Sequence, residues 1–343
     1  MLLEGIHLPL TTPFYPDGRL NLRKLEHNVG RYSLTPAAGL LIAGTSGEVS
    51  GLTAIEVKDA LVAAIGAAAK EKVMLAGVGR DSVFATLDLA EAAARLGYDV
   101  AVVGAPALAL GPLELTTYFQ AVADRAGLPL VLLSEPGREL SVETIAALSG
   151  HPGIIGLIDH AAMGDRLSAI LNATSGFSRE VAVTAVFAPA TGRMLAEREA
   201  TSGSFVSAES LGGGAAVAAA PVSVVKTRMK RVGFQVLAGS TAAMLDGFVG
   251  GAVGAVPRFG ASAPQACCEV YQAWHDDDLP LASEKQQRIA GIAARMESPQ
   301  GIAAIKFAAD LNGYFGGRPR LPLLGLTAEK REEIEQAMTG LRN

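Results

Sequence analysis

The chain has 343 residues, half of them hydrophobic, with 5% aromatics and a formal net charge of −5. That length holds one large α/β domain with an appendage, or two domains. The mild acidity argues against a nucleic-acid or anionic-membrane partner.

No basic-then-apolar leader stands at Met1–Gly5. The longest uncharged stretch, Leu211 to Val225, is broken by three glycines and Pro221 and falls short of the roughly 20 apolar residues of a span. A soluble, cytoplasmic protein is therefore expected. Short, nearly continuous Val/Ile/Leu/Ala runs predict strands at 5–10, 40–44, 73–78, 99–104, 129–134, 154–159, 234–239 and 252–256. Unbroken apolar runs suit parallel strands buried on both faces. Helical periodicity fills the gaps. Thr53 with Glu56 reads as a capping box, and Asn21, Ser141 and Thr327 stand at N-cap positions. Eight such units predict a (β/α)8 TIM barrel over 1–277, with an open doubly wound sheet as the alternative.

Two regions depart from plain repeats. An insertion at about 176–232, between strands six and seven, is too long for a connection. It carries the β-rich run EVAVTAVFAP, a Gly/Ala tract, and Lys226, Arg228, Lys230 and Arg231. A lid, a subunit contact or a ligand-binding flap would fit it, as would a tolerated surface insertion. From 278 to 343 the pattern is helical only, near 282–297, 299–313 and 327–341. Cys267 and Cys268 are adjacent on a predicted helix, where neighbours diverge by about 100°. They read as reduced core or interface residues.

On a TIM barrel the chemistry gathers where strands end. After strand two stands Gly44-Thr45-Ser46-Gly47-Glu48, whose main-chain N–H groups and hydroxyls suit a carboxylate or phosphate, although such residues also build ordinary turns. Near strands five and six lie Ser134, Glu135, Arg138, Asp159 and His160, ingredients of nucleophilic or acid–base catalysis. Asp159 and His160 are consecutive, so at most one enters a pocket while the strand continues. His160 also reads as a helix-capping or surface histidine. The five histidines, His7, His27, His151, His160 and His275, show no metal-ligand spacing. Neither metal nor cofactor is expected.

In order along the chain come LPLTTPF at 8–14, GTSGE at 44–48, AGVGR at 76–80 and LPLVLLSEPGR at 128–138. HPGIIGLID at 151–159, FQVLAGS at 234–240, GAVGAV at 251–256 and YFGGRPRLPLLGL at 314–326 follow. This succession resembles the dihydrodipicolinate synthase / N-acetylneuraminate lyase family of class I aldolases, and FQVLAGS and GYFGG resemble its 4-hydroxy-2-oxoglutarate aldolase branch. The resemblance implies a lyase lineage, a 2-oxo acid or other small carboxylate as ligand, and a homo-oligomer, dimer or tetramer. It also implies a strand-six lysine forming an imine, an electron sink for C–C chemistry. A strand-five tyrosine and a tyrosine after strand four would relay protons.

This sequence departs at each of those three positions. Ile158 stands for the lysine, Leu133 for the strand-five tyrosine, and Ala107 and Leu108 for the tyrosine pair. Thr45, Ser46 and Arg138 match the family's substrate-binding pattern, and Val256 is placed with them at the end of strand eight. Departures at separate strand ends are hard to explain by one misaligned register. Three readings follow: a carboxylate-binding barrel without imine chemistry, a silent sensor or partner subunit, or a lyase whose lysine is relocated to Lys226 or Lys230. Lys306, in GIAAIKFAADLNG, reads as a solvated helical lysine.

Overall fold

The computed structural model describes residues 1–108, 110–196, 226–297 and 301–341. Six strands alternate with helices from the start: β1 (Gly5–Pro9), α1 (Leu22–Ser33), β2 (Gly39–Ile42), α2 (Ala54–Ala67), β3 (Val73–Gly77) and α3 (Val83–Leu96). They continue through β4 (Val100–Gly104), α4 (Pro112–Ala123), β5 (Leu130–Ser134), α5 (Val142–Ser149), β6 (Ile154–Asp159) and α6 (Gly164–Thr174). An antiparallel ribbon, β7 (Ser178–Thr184) with β8 (Thr227–Gly233), precedes β9 (Gln235–Ala238) and β10 (Gly254–Ala255). The strands β1-β10-β9-β6-β5-β4-β3-β2 close into a parallel barrel. The predicted TIM barrel is the observed fold. Helices Leu279–Glu297, Gly301–Leu311 and Ala328–Met338 form the C-terminal region.

The apolar runs have two destinations. On β2, Leu40 and Ile42 face the helices while Leu41 faces the barrel axis; on β4, Ala101 and Val103 face out while Val100 and Val102 face in. Each strand thus buries both sides, which removes the alternation a half-exposed strand would show. On β6 the pairing slips by one residue against β5, so that both Ile155 and Ile158 reach the interior. The local start signals act as read. Thr53 and Glu56 form a reciprocal capping box, and the side chains of Asn21, Ser141 and Thr327 accept from the main chain at N3. Cys267 and Cys268 are free and buried, and burial pushes the Cys268 thiol up to about 12.

The ribbon lies at the barrel end opposite the strand C-termini. Arg179 on β7 donates to the carbonyls of Pro152 and Ile154 at the start of β6. Just beyond the ribbon, Arg193 donates to Ala68, Ala69 and Lys72 before β3, and Gly192 N–H donates to Asp99 before β4. Lys230 pairs with Glu4 ahead of β1 at 2.5 Å. Val181, Val183 and Val232 pack on Leu2. The described parts of the 176–232 insertion therefore close the floor of the barrel and do not cover its mouth. Residues 197–225, which include the whole Gly/Ala tract, lie outside the described residues.

Candidate functional site at the barrel mouth

Strand alternation sorts the residues at the ends of β5 and β6. Leu133 and Ile158 point to the axis, where they join Leu41, Val102, Val131, Leu237 and Val256 in an apolar cluster. Ser134 and Asp159 point the other way, and both are claimed by Arg166 of α6. Its Nε donates to Asp159 Oδ2 at 2.8 Å, and its Nη2 donates to Leu140 O at 2.8 Å and to Ser134 Oγ at 3.4 Å. Asp159 Oδ1 accepts from Ala161 N–H, and Ser134 Oγ accepts from Leu140 N–H. These two residues, candidates for catalysis in the sequence, are fasteners between the strands and the helix layer. Of the consecutive pair Asp159–His160, only His160 reaches the mouth.

The mouth holds a charged cluster over that apolar floor. Glu135, two residues beyond Leu133, accepts from Arg258 Nη2 at 3.1 Å. His160, two beyond Ile158, has Nε2 3.9 Å from the same carboxylate oxygen. Arg138 Nη2 is 4.0 Å from the other oxygen. Burial, with the Arg258 charge beside it, lowers the His160 pKa to about 4, against the opposing pull of Glu135 and Asp159. The imidazole is therefore neutral at pH 7, so its 3.9 Å contact is no ion pair there. Arg258 did not stand out in the sequence, yet a signal existed. It lies two residues beyond the inward-facing Val256, as Glu135 and His160 lie two beyond their own inward neighbours. Its turn is pinned by Glu297, which accepts from Phe259 N–H at 3.0 Å.

Across the mouth stands the Thr45–Ser46 turn. Thr45–Gly47 is a single turn of 3-10 helix, so the N–H groups of Thr45 and Ser46 have no partner within it. Thr45, Leu133 and Glu135 line both adjoining cavities at this end. One continues over Ser46, Ile158, His160, Val256 and Arg258; the other runs past Gly77, Arg80, Gly104 and Arg138. Among the described residues no lysine lines either cavity. Gly77 is required where the two loops meet, since a Cβ there would sit 2.1 Å from Ala43 O. Arg80 Nη1 donates to Gly79 O, while its buried Nη2 finds no partner. Ala107 donates its N–H to Asp81, and Leu108 is exposed, so neither contributes a phenol or any other proton-bearing side chain.

Glu48 sets the turn from behind. It adopts φ +57°, and its N–H closes the turn on Thr45 O. Its carboxylate is buried against Lys306 Nζ at 2.6 Å and accepts from Arg320 N–H at 2.8 Å. Lys306 also donates to Thr12 O at 2.8 Å and lies 4.5 Å from the centre of the Phe14 ring. Expected to be solvated, Lys306 is instead fully buried, because the C-terminal helix that carries it packs directly behind the turn. Burial lowers its pKa, opposed by the Glu48 charge. Arg320 extends the network to Glu56, whose carboxyl it holds down at about 2. Among the described residues no cluster of His, Cys, Asp and Glu could hold a metal ion, and no helix is long and apolar enough to cross a membrane.

A model of the dihydrodipicolinate synthetase family matches residues 2–194 and 216–341, leaving 195–215 between the matched spans. A 4-hydroxy-tetrahydrodipicolinate synthase from Acidiphilium cryptum is 27% identical over 99% of both chains. Another, from Xanthomonas campestris, is 36% identical over 50% of this chain and 58% of its own length. Two solved structures share the fold over nearly the full length. A Bacillus anthracis dihydrodipicolinate synthase gives a TM-score of 0.79 at 20% identity, covering 100% of both chains. An Acinetobacter baumannii dihydrodipicolinate synthase, complexed with pyruvate, gives 0.78 at 22%, covering 99% of this chain and 100% of its own. None of these four is a 4-hydroxy-2-oxoglutarate aldolase.

Proposed function

Since the chain belongs to the dihydrodipicolinate synthetase family yet carries Ile158 on strand six, we propose that it binds a small carboxylate, a 2-oxo acid, without forming an imine. One observation carries this reading. The floor beneath the Thr45–Ser46 turn is made of Ile158 and Leu133 side chains, and among the described residues no lysine stands at either cavity. Imine formation needs an uncharged amine within bonding reach of the carbonyl carbon. Lys306 is held by Glu48 behind the turn, and Lys230 is held by Glu4 at the other end of the barrel. Strands β1 and β3–β6, of five or six residues at ~3.3 Å each and tilted by ~36°, put the two ends roughly 13–16 Å apart.

In this reading the ligand carboxylate takes the free N–H groups of Thr45 and Ser46, its carbon chain lies on Leu133, Ile158 and Val256, and Arg138 receives any distal anion. The protein is then a sensor, as a homo-oligomer, or a partner subunit to another chain. The test is borohydride treatment with pyruvate, read by intact mass, beside calorimetry. Saturable binding without a reduced adduct is expected. An adduct on any lysine would overturn the proposal and identify a relocated nucleophile.

A second reading rests on Glu135 and His160. A carboxylate and a neutral imidazole side by side at the mouth can exchange a proton with carbon next to a carbonyl, with no amine involved. Loss of the pyruvate methyl signal in heavy water, abolished by His160→Gln, would favour it over the silent barrel.

A further inference from the structure

We infer that Arg258 is a ligand-carboxylate site whose place is held, in the unliganded protein, by the carboxylate of Glu135. The inference deepens the small-carboxylate reading and rests on it. Three donor-bearing groups, Arg258, Arg138 and His160, converge from three separate loops on one carboxylate, yet only the Arg258 contact, at 3.1 Å, is within hydrogen-bond distance. The Glu135 side chain is 10% exposed and that of Arg258 is 23% exposed, so the pair is screened from water but open to the cavity that Thr45 and Ser46 also line.

A second carboxylate entering that cavity faces the first at short range, and like charges there repel strongly. Exchange avoids this: the ligand carboxylate keeps one oxygen on the Thr45–Ser46 turn and gives the other to Arg258, and, for a ligand such as pyruvate with no distal anion, Glu135 keeps a cation by turning to Arg138. The backbone makes the exchange short. Glu135 and Arg138 bracket a tight turn, with Arg138 N–H donating to Glu135 O at 2.9 Å and Gly137 at φ +81°. The second arginine is thus already beside the carboxylate, 4.0 Å away.

An internal competitor raises the apparent Kd in inverse proportion to the fraction of time the site is free, so a site held about nine-tenths of the time binds roughly tenfold more weakly. Titrating pyruvate calorimetrically into the full chain tests this. Glu135→Gln is expected to tighten binding at least tenfold. Glu135→Asp keeps the charge but is one methylene shorter, and it is expected to tighten binding as well, which removal of a nearby negative charge would not explain. In the Glu135→Gln background, Arg258→Gln is expected to erase the gain. Unchanged or weaker binding in Glu135→Gln, with the parent protein binding normally, overturns this inference and leaves the carboxylate pocket standing. Absence of binding in both proteins overturns the two together. Melting curves of each variant report that it is folded.

Discussion

Replacing Lys306 by methionine isolates the buried pair behind the turn. The amine is 0% exposed and the Glu48 carboxylate 2% exposed. Removing the amine leaves one carboxylate oxygen and Thr12 O without their donor, while Arg320 N–H still serves the other oxygen. Breaking a buried pair from one side costs about 3–5 kcal/mol. At roughly 2–4 °C per kcal/mol for a large domain, the melting temperature should fall by about 6–20 °C. Replacing both members, Glu48→Gln with Lys306→Met, removes the stranded charge and should recover at least half of that loss, because a buried pair and an apolar substitute are often nearly equivalent. Calorimetric melts of the parent, both single variants and the double variant give the coupling directly. A Lys306→Met protein melting within about 2 °C of the parent would refute the argument, as would a double variant no better than the sum of the singles.

Other outcomes follow from the same geometry. Lys226→Ala and Lys230→Ala should leave pyruvate affinity unchanged by calorimetry, and loss of the half-exposed Glu4 pair should cost under about 1 kcal/mol. Thr45→Pro removes a main-chain N–H from the turn and should weaken pyruvate binding at least tenfold, whereas a ligand seated elsewhere would not respond. Acid should act through His160. Its folded pKa lies near 4, below the ordinary 6.5 of an imidazole, so the unfolded chain takes up the proton first. The His160 contribution is present above pH 6.5 and is lost as pH falls toward 4, by about 3 kcal/mol at most. Stability curves for the parent and His160→Gln should therefore converge across that window, and parallel curves would contradict the assignment. His7, also near 4 and fully buried, adds a similar slope to both proteins and cancels in the comparison.

The barrel was legible because its signals are local. Apolar runs, caps and spacing each depend on a few neighbouring residues, and the strands at 73–78 and 154–159 differ from Val73–Gly77 and Ile154–Asp159 by no more than one residue. The mouth was legible in part. Alternation determined that only one of Asp159 and His160 could enter, but which one depended on where Arg166 of the next helix lay. Lys306 read as solvated because nothing nearby in the sequence announces Glu48, which is 258 residues away along the chain. The destination of the insertion was equally long-range. Arg179, Arg193 and Lys230 are unremarkable surface types until they meet the carbonyls and the carboxylate at the strand starts.

The apolar floor has a consequence for the chain's prospects under mutation. Ile158 and Leu133 complete a packed interior with Leu41 and Val256, so the fold gains from the side chains that the chemistry lacks. Restoring a lysine at 158 would give up a buried aliphatic worth about 1.5–3 kcal/mol and strand an amine in its place. Restoring a phenol at 133 would meet the same problem before any turnover repaid it. Under the proposed function, genotypes carrying only one of the two changes are less stable without gaining the imine and its proton relay. Selection on the protein would then hold the floor as it is and act on the mouth above it, where Glu135, His160 and Arg258 line the ligand cavity.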